Sequence, residues 1–284
     1  MFSDVLMTVD FDRTMTSPDS KIPQRNLDAV AFFMENGGSF TINTGRSVSS
    51  FHKHLGKVPV NAPILMYNGS ARWENGVLTN IKLLDLDLWE TVKTVREEFP
   101  NMNLEIQGVD YHYLIDPEPA YVAFYDALKW GYKISQTGDD LGPFLKFALA
   151  GSPRKKSVAT LFESNEDELA AFDAAQAKIA QLWGDKVEIY RAAPRIIDVH
   201  AKGVSKIAAA RQLQQELGKK ILVCVGDAEN DIPMLEGADY AYCPADGVVA
   251  DRYETVCNCA DGAIADVIYK KIPEILGFSL DNRA

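Results

Sequence analysis

The chain alternates between short continuous apolar runs and longer stretches in which apolar residues recur at helical spacing. Residues 5–9 form a run of strand length, and residues 24–35 form a helical stretch that ends at Gly37-Gly38. The same patterns predict a strand over residues 39–43, a helix over residues 48–55 and a strand over residues 63–67. Strands and helices that alternate at this spacing predict right-handed βαβ units and a parallel sheet.

The pattern changes in the middle of the chain, where strand-like runs outnumber helices. Helices are predicted over residues 86–99, 118–129 and 166–183. Strands are predicted over residues 104–106, 111–115, 132–135, 144–150, 158–162, 187–190 and 196–199. Because sheet dominates this block and Gly and Pro interrupt it, we expect a separate α+β domain here.

The alternating pattern returns near residue 201. It predicts helices over residues 204–217 and 232–236, strands over residues 221–225 and 240–243, and a final helical region over residues 261–275. The simplest topology is an α/β fold with a Rossmann-like, doubly wound parallel-sheet core and an inserted α+β domain. We place the core at residues 1–85 and 198–284, and the insert at residues 86–197.

Composition and charge narrow the class of protein. With 47% hydrophobic and 24% charged residues among 284, the composition is typical of a soluble globular protein. The net charge of −11 argues against nucleic acid as a partner, because non-specific binding needs a basic surface. No apolar run approaches a membrane span, no secretory signal is visible, and four cysteines do not make a disulfide framework. We therefore expect a cytoplasmic protein that contacts no membrane.

Two carboxylates one residue apart, Asp10 and Asp12, follow the first predicted strand. Charge at the end of a buried strand must be neutralised, and Mg²⁺ is the simplest candidate because it prefers oxygen ligands. An acidic turn without a metal is the alternative. A calcium-binding EF-hand is excluded, since Met15 and Lys21 stand where that loop needs glycine and glutamate.

Polar segments also follow two other predicted strands and open one helix. Residues 44–46 (Thr-Gly-Arg) follow the second strand, residues 226–231 (Gly-Asp-Ala-Glu-Asn-Asp) follow the strand over residues 221–225, and residues 202–206 carry two lysines. Ligands of open parallel sheets bind outside the carboxyl ends of the strands. Carboxylates, a hydroxyl and a lysine gathered there suit phosphoryl transfer assisted by Mg²⁺.

These motifs, in this order and in these strand contexts, resemble the haloacid dehalogenase superfamily, and specifically its Cof-type phosphatases of subclass IIB. In that group a large α/β cap is inserted after the second motif. The resemblance covers essentially the whole chain and implies Mg²⁺ as the cofactor. It implies a phosphatase of small phosphorylated metabolites, such as a sugar phosphate or a phosphorylated cofactor, with cap residues that select the organic part of the substrate.

The resemblance also implies a role for each motif residue. Asp10 would be the nucleophile that forms an aspartyl-phosphate, and Asp12 would be the general acid and base. Thr44 would donate a hydrogen bond to the phosphoryl group, and Lys206 would neutralise its charge. Lys202 remains the alternative lysine.

The implied metal site uses acids from both ends of the chain. Asp10 and Asp227 would bind Mg²⁺ together with the backbone carbonyl of Asp12. Asp231 would bind the ion through water or orient the other ligands, as Asn230 would. The implied substrate-binding residues are Thr44, Gly45, Arg46 and Asn230. For Arg46 a purely local role, bound to a nearby carbonyl or carboxylate, is the alternative.

Three positions depart from the family pattern. Arg13 stands where glycine is usual, and its side chain would either point to solvent or reach over the site. Ile207 replaces a glycine that often follows the motif lysine, and Pro244-Ala245 replaces a frequent Asn-Ala pair. None of these departures removes a reacting group.

Two other functions stay open from the sequence. A phosphomutase would return the phosphoryl group to the other end of a sugar phosphate, and a non-catalytic module would only bind phosphorylated metabolites. The intact set of Asp10, Asp12, Lys206 and Asp227 counts against the second. The sequence identifies neither the substrate nor the choice between a monomer and a homodimer.

Overall fold

The computed structural model describes residues 1–155, 160 and 163–280, which fall into two compact units. The first unit contains Met1–Gly45, His54–Thr79 and the chain from Ser205 onwards. The second contains Arg46–Lys53 and Asn80–Val204. The second unit thus begins before the predicted insert of residues 86–197, ends after it, and takes an additional segment, so that the predicted domain boundaries stay a prediction.

The helices and strands of the described residues alternate at both ends of the chain. The strands are β1 (Val5–Val9), β2 (Ser39–Ile42), β3 (Ile64–Met66), β4 (Ala71–Glu74), β5 (Val77–Thr79), β6 (Asn103–Gly108), β7 (His112–Ile115), β8 (Lys133–Ser135), β9 (Phe144–Ala150), β10 (Val187–Ala193), β11 (Ile196–Ala201), β12 (Ile221–Val225), β13 (Tyr240–Pro244) and β14 (Glu254–Val256). The helices are α1 (Gln24–Glu35), α2 (Val48–Phe51), α3 (Leu88–Glu98), α4 (Pro119–Leu128), α5 (Glu166–Trp183), α6 (Lys206–Glu216), α7 (Ile232–Glu236), α8 (Ala263–Asp266) and α9 (Ile272–Leu276).

A parallel sheet with the strand order β14-β13-β12-β1-β2 forms the centre of the first unit. β1 lies inside this sheet, and Val9 at its carboxyl end pairs with Ile42 of β2 and Val225 of β12. All five residues of β1 are buried, as expected for a strand covered on both faces. The predicted α/β parallel-sheet core is confirmed, and the loops after β1, β2 and β12 leave the sheet at the same edge.

A small antiparallel sheet differs from the sequence prediction. β3 was expected to extend the parallel sheet, but it pairs with β4, which pairs with β5. Its parallel contact with the segment after β2 is reduced to an isolated bridge between Asn43 and Leu65. β4 and β5 were not predicted, although Asn75-Gly76 joins them with positive φ at both residues, the geometry that an Asn-Gly hairpin turn favours.

α6 carries the motif lysine as its first residue. The Ser205 hydroxyl accepts a hydrogen bond from Ala208 N at 3.1 Å and so caps the helix. Ala209 and Leu213, on the buried face of α6, belong to one apolar cluster with Leu222 of β12. The cap and this packing fix the amino end of α6 against the sheet.

The second unit contains a six-stranded sheet among its described residues, in the order β10-β11-β9-β6-β7-β8. Its pairings are antiparallel apart from β7 with β8. α3 and α5 pack on one face through an apolar cluster that includes Val95, Ile106, Phe147 and Ile179. α4 packs on Leu114 and Ala150 through its aromatic residues. The predicted α+β class of this region is confirmed.

Several predicted elements have different ends in the structure. The final helical region over residues 261–275 divides into α8, one wide turn (Val267–Lys271) and α9, where Pro273 lies in the first turn. β14 was missed because it has only three residues, two of them exposed. The predicted strand over residues 158–162 falls on residues outside the described part of the chain. Among the described residues, no helix has both the length and the apolar character needed to cross a membrane.

Candidate active site

The loop after β1 turns back sharply and brings a hydroxyl to an acid from the other end of the chain. Asp10 N still donates to Val225 O at 2.9 Å, and residues Phe11–Met15 then form one irregular turn. Arg13 has a φ of 60° inside this turn, a conformation that glycine adopts at least cost. The turn places Thr14 Oγ1 2.9 Å from Asp227 Oδ1, to which it donates.

The loop after β12 is closed by one of its own carboxylates. Asp231 Oδ2 accepts hydrogen bonds from Asp227 N at 3.0 Å and Ala228 N at 3.1 Å. A Cβ at Gly226 would lie 2.6 Å from Asp231 Cβ, so the turn requires glycine there. These contacts hold Asp227 and Asp231 in fixed positions next to the carboxyl end of β1.

Lys206 joins the two loops. Its Nζ donates to Asp10 Oδ1 at 2.5 Å and to Asp231 Oδ1 at 2.6 Å, and the residue is 2% exposed. Asn43 Nδ2 donates to the backbone carbonyl of Lys206 at 2.9 Å and so ties the end of β2 to the start of α6. The structure thus brings together four predicted site residues that are far apart in the sequence.

The pKa values of these groups reflect burial first and charge second. Burial raises the pKa of Asp10 to about 7, and the charges of Asp231 and Asp12 raise it further against the opposing effect of Lys206. Burial, together with Asp10 and Asp231, raises the pKa of Asp227 well above its usual value. Burial alone would lower the pKa of Lys206, but the two carboxylates that it contacts raise it instead. The cluster therefore carries more carboxyl groups than its one ammonium group can balance.

The donor set fits a divalent metal ion. Asp10, Asp227 and Asp231 each have an oxygen within 4.8 Å of the others, and all three residues are buried. Three ionised carboxylates and one ammonium would leave two negative charges in excess, the charge that Mg²⁺ would balance with its preferred oxygen ligands. Both oxygens of Asp231 already accept hydrogen bonds, which suits an orienting role better than direct ligation.

Asp12 and Arg13 lie on the irregular turn beside this cluster. Asp12 is half-buried, and its charge contributes to the raised pKa of Asp10. Arg13 Nε lies 3.9 Å from Asp227 Oδ2, with 36% of the side chain exposed. Of the two orientations that the sequence left open for Arg13, the structure shows the one directed toward the acids.

Thr44 and Gly45 lie at the end of β2 in a tightly held segment. Thr44 N donates to Leu65 O at 2.9 Å, and Thr44 O accepts from Asn68 N at 3.0 Å. A Cβ on Gly45 would come within 2.8 Å of Asn68 Oδ1, so glycine permits this close approach. Thr44 is 1% exposed, and its role toward a phosphoryl group stays a prediction.

The other candidate residues have local surroundings. In the second unit, Arg46 Nη1 donates to Ser50 O at 3.1 Å, and its guanidinium carbon lies 5.8 Å from the centroid of a Trp130 ring. Lys202 pairs with Glu188 at 3.2 Å and is exposed. Asn230 is half-buried in the short turn Glu229–Asp231 of the first unit. Substrate binding by Arg46 and Asn230 stays a prediction.

Sequence reasoning missed Asn43, which is fully buried and holds the backbone of Lys206. The available signal was a polar residue directly after the apolar strand residue Ile42. The Pro244-Ala245 departure has a structural account: Pro244 ends β13, and Ala245 N donates to Val256 O at 3.2 Å.

A parallel sheet with a buried acid–lysine cluster at its carboxyl edge defines an α/β enzyme of the hydrolase class. The chain belongs to the haloacid dehalogenase-like hydrolase family, whose model matches residues 7–260. This confirms the family resemblance seen in the sequence.

The relatives of the chain include named phosphatases. It is 24% identical over 264 residues to 5-amino-6-(5-phospho-D-ribitylamino)uracil phosphatase YcsE of Bacillus subtilis, which covers 90% of this chain and 92% of the relative. It is 24% identical over 234 residues to the HMP-PP phosphatase of Escherichia coli, with 81% and 80% covered. The fold is similar to that of the subclass IIB sugar phosphatase BT4131, with a TM-score of 0.69, 17% identity and coverage of 96% of this chain and 98% of the other. These names support phosphatase activity.

Proposed function

We propose that this protein is a Mg²⁺-dependent phosphatase that hydrolyses small phosphorylated metabolites through an aspartyl-phosphate on Asp10. The observation that carries the proposal is the position of Lys206 Nζ, which donates to both Asp10 and Asp231 inside a buried cluster of three acids. An ammonium group beside a carboxylate nucleophile can neutralise an approaching phosphoryl group.

In this proposal Asp10 and Asp227, together with the backbone carbonyl of Asp12, hold Mg²⁺. The bound ion supplies positive charge that offsets the negative charge of the phosphoryl oxygens. Thr14 acts indirectly, because its hydroxyl donates to Asp227 Oδ1 and fixes the direction of that carboxylate. Asp231 orients Lys206 and the backbone of residues 227 and 228.

The two chemical steps use side chains of the first loop. A carboxylate oxygen of Asp10 attacks phosphorus while the bond to the leaving oxygen breaks, and Asp12 gives that oxygen a proton. Asp12 then takes a proton from water, which attacks the aspartyl-phosphate and releases inorganic phosphate. Thr44 donates a hydrogen bond to the phosphoryl group during transfer, and Gly45, Arg46 and Asn230 bind the substrate.

The relatives suggest the class of substrate. Their names describe enzymes that act on a phosphoribitylamino-uracil, on HMP-PP and on a sugar phosphate. We therefore propose that the substrate is a phosphorylated sugar or a phosphorylated cofactor intermediate, selected by the inserted cap domain of residues 86–197. A cytoplasmic location and a monomeric or homodimeric state also stay predictions.

A screen of phosphorylated metabolites with the purified protein and Mg²⁺, read as released phosphate, tests the proposal. We expect at least one substrate to be hydrolysed with Mg²⁺ and none with EDTA. Hydrolysis that is unaffected by removal of divalent ions would reject the metal assignment. Conversion of a sugar 1-phosphate to its 6-phosphate isomer without phosphate release would instead identify a phosphomutase, and binding without turnover would identify a non-catalytic module.

A further inference from the structure

One face of the six-stranded sheet in the second unit carries polar residues at adjacent register positions. Gln107 of β6 pairs with His112 of β7 on one side and with Lys146 of β9 on the other, and Lys146 pairs with His200 of β11. We call these four residues the polar row. Each is at most 5% exposed. Buried polar side chains on a sheet need hydrogen-bonding partners, so the partners of this row identify its role.

The charged groups around the polar row are paired within the same unit. Lys146 Nζ donates to Asp198 Oδ2 at 2.7 Å, and His112 Nε2 lies 3.0 Å from Glu105 Oε2. Burial alone would raise the pKa of Glu105, but His112 and its other hydrogen-bond donors lower it to about 2. The ionic part of the network is therefore complete without a further ligand.

Two neighbouring polar atoms are not satisfied by the described residues. Gln107 Oε1 and His112 Nδ1 are both buried and have no hydrogen-bond partner there. They belong to residues directly opposite each other on adjacent strands, so both side chains stand on the same face of the sheet. The other end of each side chain is engaged, because Gln107 Nε2 donates to Glu105 at 3.2 Å and His112 Nε2 contacts the same carboxylate.

The chemistry of these atoms indicates the ligand group that fits. Gln107 Oε1 can only accept a hydrogen bond, whereas His112 Nδ1 accepts in the neutral ring and donates in the charged ring. A hydroxyl group matches both, because it can donate to Gln107 and either donate to or accept from His112. Opposed residues on neighbouring strands have Cβ atoms about 5 Å apart, a spacing that two hydroxyls on adjacent carbons can bridge.

We propose that the polar row binds a vicinal diol of a polyhydroxylated small molecule through Gln107 Oε1 and His112 Nδ1. The proposal concerns recognition by the second unit and does not depend on the phosphatase reaction. A pair of five-carbon probes tests it: xylitol carries hydroxyls on adjacent carbons, and 1,5-pentanediol does not. Saturation-transfer NMR and calorimetry with the full chain should show binding of xylitol and none of 1,5-pentanediol. Equal binding of the two probes, or of neither, would overturn the proposal.

Substitution of the row separates recognition from general stickiness. Gln107→Leu removes the accepting oxygen and should weaken xylitol binding at least tenfold, the effect expected for loss of a buried hydrogen bond. Gln136→Leu, at an exposed glutamine of the same unit, is the matched control and should bind as the wild type does. Thermal unfolding of both variants verifies that they are folded.

Two further measurements make the result decisive. Asp10→Asn should leave xylitol binding unchanged, because that residue belongs to the first unit; loss of binding in this variant would contradict the assignment to the polar row. A crystal structure with xylitol should place two hydroxyls within hydrogen-bond distance of Gln107 Oε1 and His112 Nδ1. Ordered water alone at these atoms in the xylitol-soaked crystal would reject the proposal.

Discussion

At the scale of single residues, Lys206 and Asp10 form the centre of the site. A buried ammonium is unfavourable unless carboxylates surround it, and Lys206 has two of them within 2.6 Å. The same carboxylates would repel an anionic substrate without that cation. Structure and chemistry therefore depend on the same contact, which explains why a long flexible side chain is held with almost no exposure to solvent.

Replacing Asp10 by Asn should abolish turnover and leave the fold intact. The amide has the shape of the carboxyl group but is a far weaker nucleophile, and the substitution removes one of three buried negative charges. We expect phosphate release to fall by about 10³-fold or more, with a melting temperature no lower than that of the metal-free wild type. Asp28→Asn, at an exposed acid of α1, is the control. Wild-type activity in Asp10→Asn would reject the assigned nucleophile.

At the scale of elements, the site depends on the close approach of the segment after β3 to the amino end of α6. Gly69 has a φ of +96°, and a Cβ there would lie 2.5 Å from Ser205 O and 2.9 Å from Ala209 Cβ. Ser205 caps the helix that begins with Lys206. A side chain at position 69 must therefore displace the first turn of α6, which carries the lysine.

Gly69→Ala should lower both stability and turnover for this reason. We expect a loss of about 1–3 kcal/mol in the free energy of unfolding, from overpacking and strain at positive φ, together with a lower kcat. Gly76→Ala is the matched control, because Gly76 also has positive φ (+85°) but no atom within 4 Å of the added Cβ. Chemical denaturation and phosphate-release kinetics measure both effects. If the two variants lose equal stability and keep equal kcat, the contact with α6 has no role.

At the scale of the whole molecule, stability should depend on metal and on pH through separate buried groups. The acid cluster of the first unit has excess negative charge, whereas Asp198 in the second unit is balanced by Lys146 at 2.7 Å. Burial alone would raise the pKa of Asp198, but Lys146 and His200 lower it to about 2. The two units thus respond to different solution conditions.

Mg²⁺ should raise the melting temperature of the protein. An ion that binds only the folded state at 100 times its Kd adds about 2.7 kcal/mol of stability. Differential scanning fluorimetry with and without EDTA measures the shift. Asp227→Asn should lose most of it, because the substitution removes a proposed ligand, and Asp28→Asn should keep it. A shift of the same size in Asp227→Asn would contradict the metal assignment.

Acid should remove the stability that Asp198 contributes. The folded-state pKa is about 2 and the ordinary value is 3.8, so the contribution is present above the ordinary value and is lost as pH falls through the folded value. This shift corresponds to about 2 kcal/mol in total, of which about 1 kcal/mol is lost between about pH 6 and pH 3. Asp198→Asn should be less stable than the wild type at about pH 6, and the gap should narrow by that amount at about pH 3.

Urea unfolding at the two pH values measures the gap for Asp198→Asn. Asp173→Asn is the control, because the Asp173 side chain is 73% exposed although it pairs with Arg191. Exposed ion pairs contribute little to stability, so this variant should follow the wild type at both values. A gap that does not change with pH would show that the Lys146 pair is not the cause.

The sequence by itself determined the local features of this protein. The apolar run of β1, the helical spacing of α1 and α5, and the Gly-Asp segment after β12 all follow from short-range patterns, and the structure has β1, α1 and α5 at the predicted bounds. Motif order was enough to indicate the haloacid dehalogenase-like family, because each motif joins a strand end to a specific set of polar residues. These are properties of residues close together in the chain.

Only the tertiary structure decided which distant residues meet. Asn43 and Lys206 are separated by 163 positions, and no local pattern indicates the hydrogen bond between them. The direction of Arg13 toward Asp227 and the unsatisfied atoms of Gln107 and His112 likewise depend on strand register and loop geometry. The reason is physical: periodicity records which face of an element is buried, whereas contacts between elements arise only when the whole chain packs.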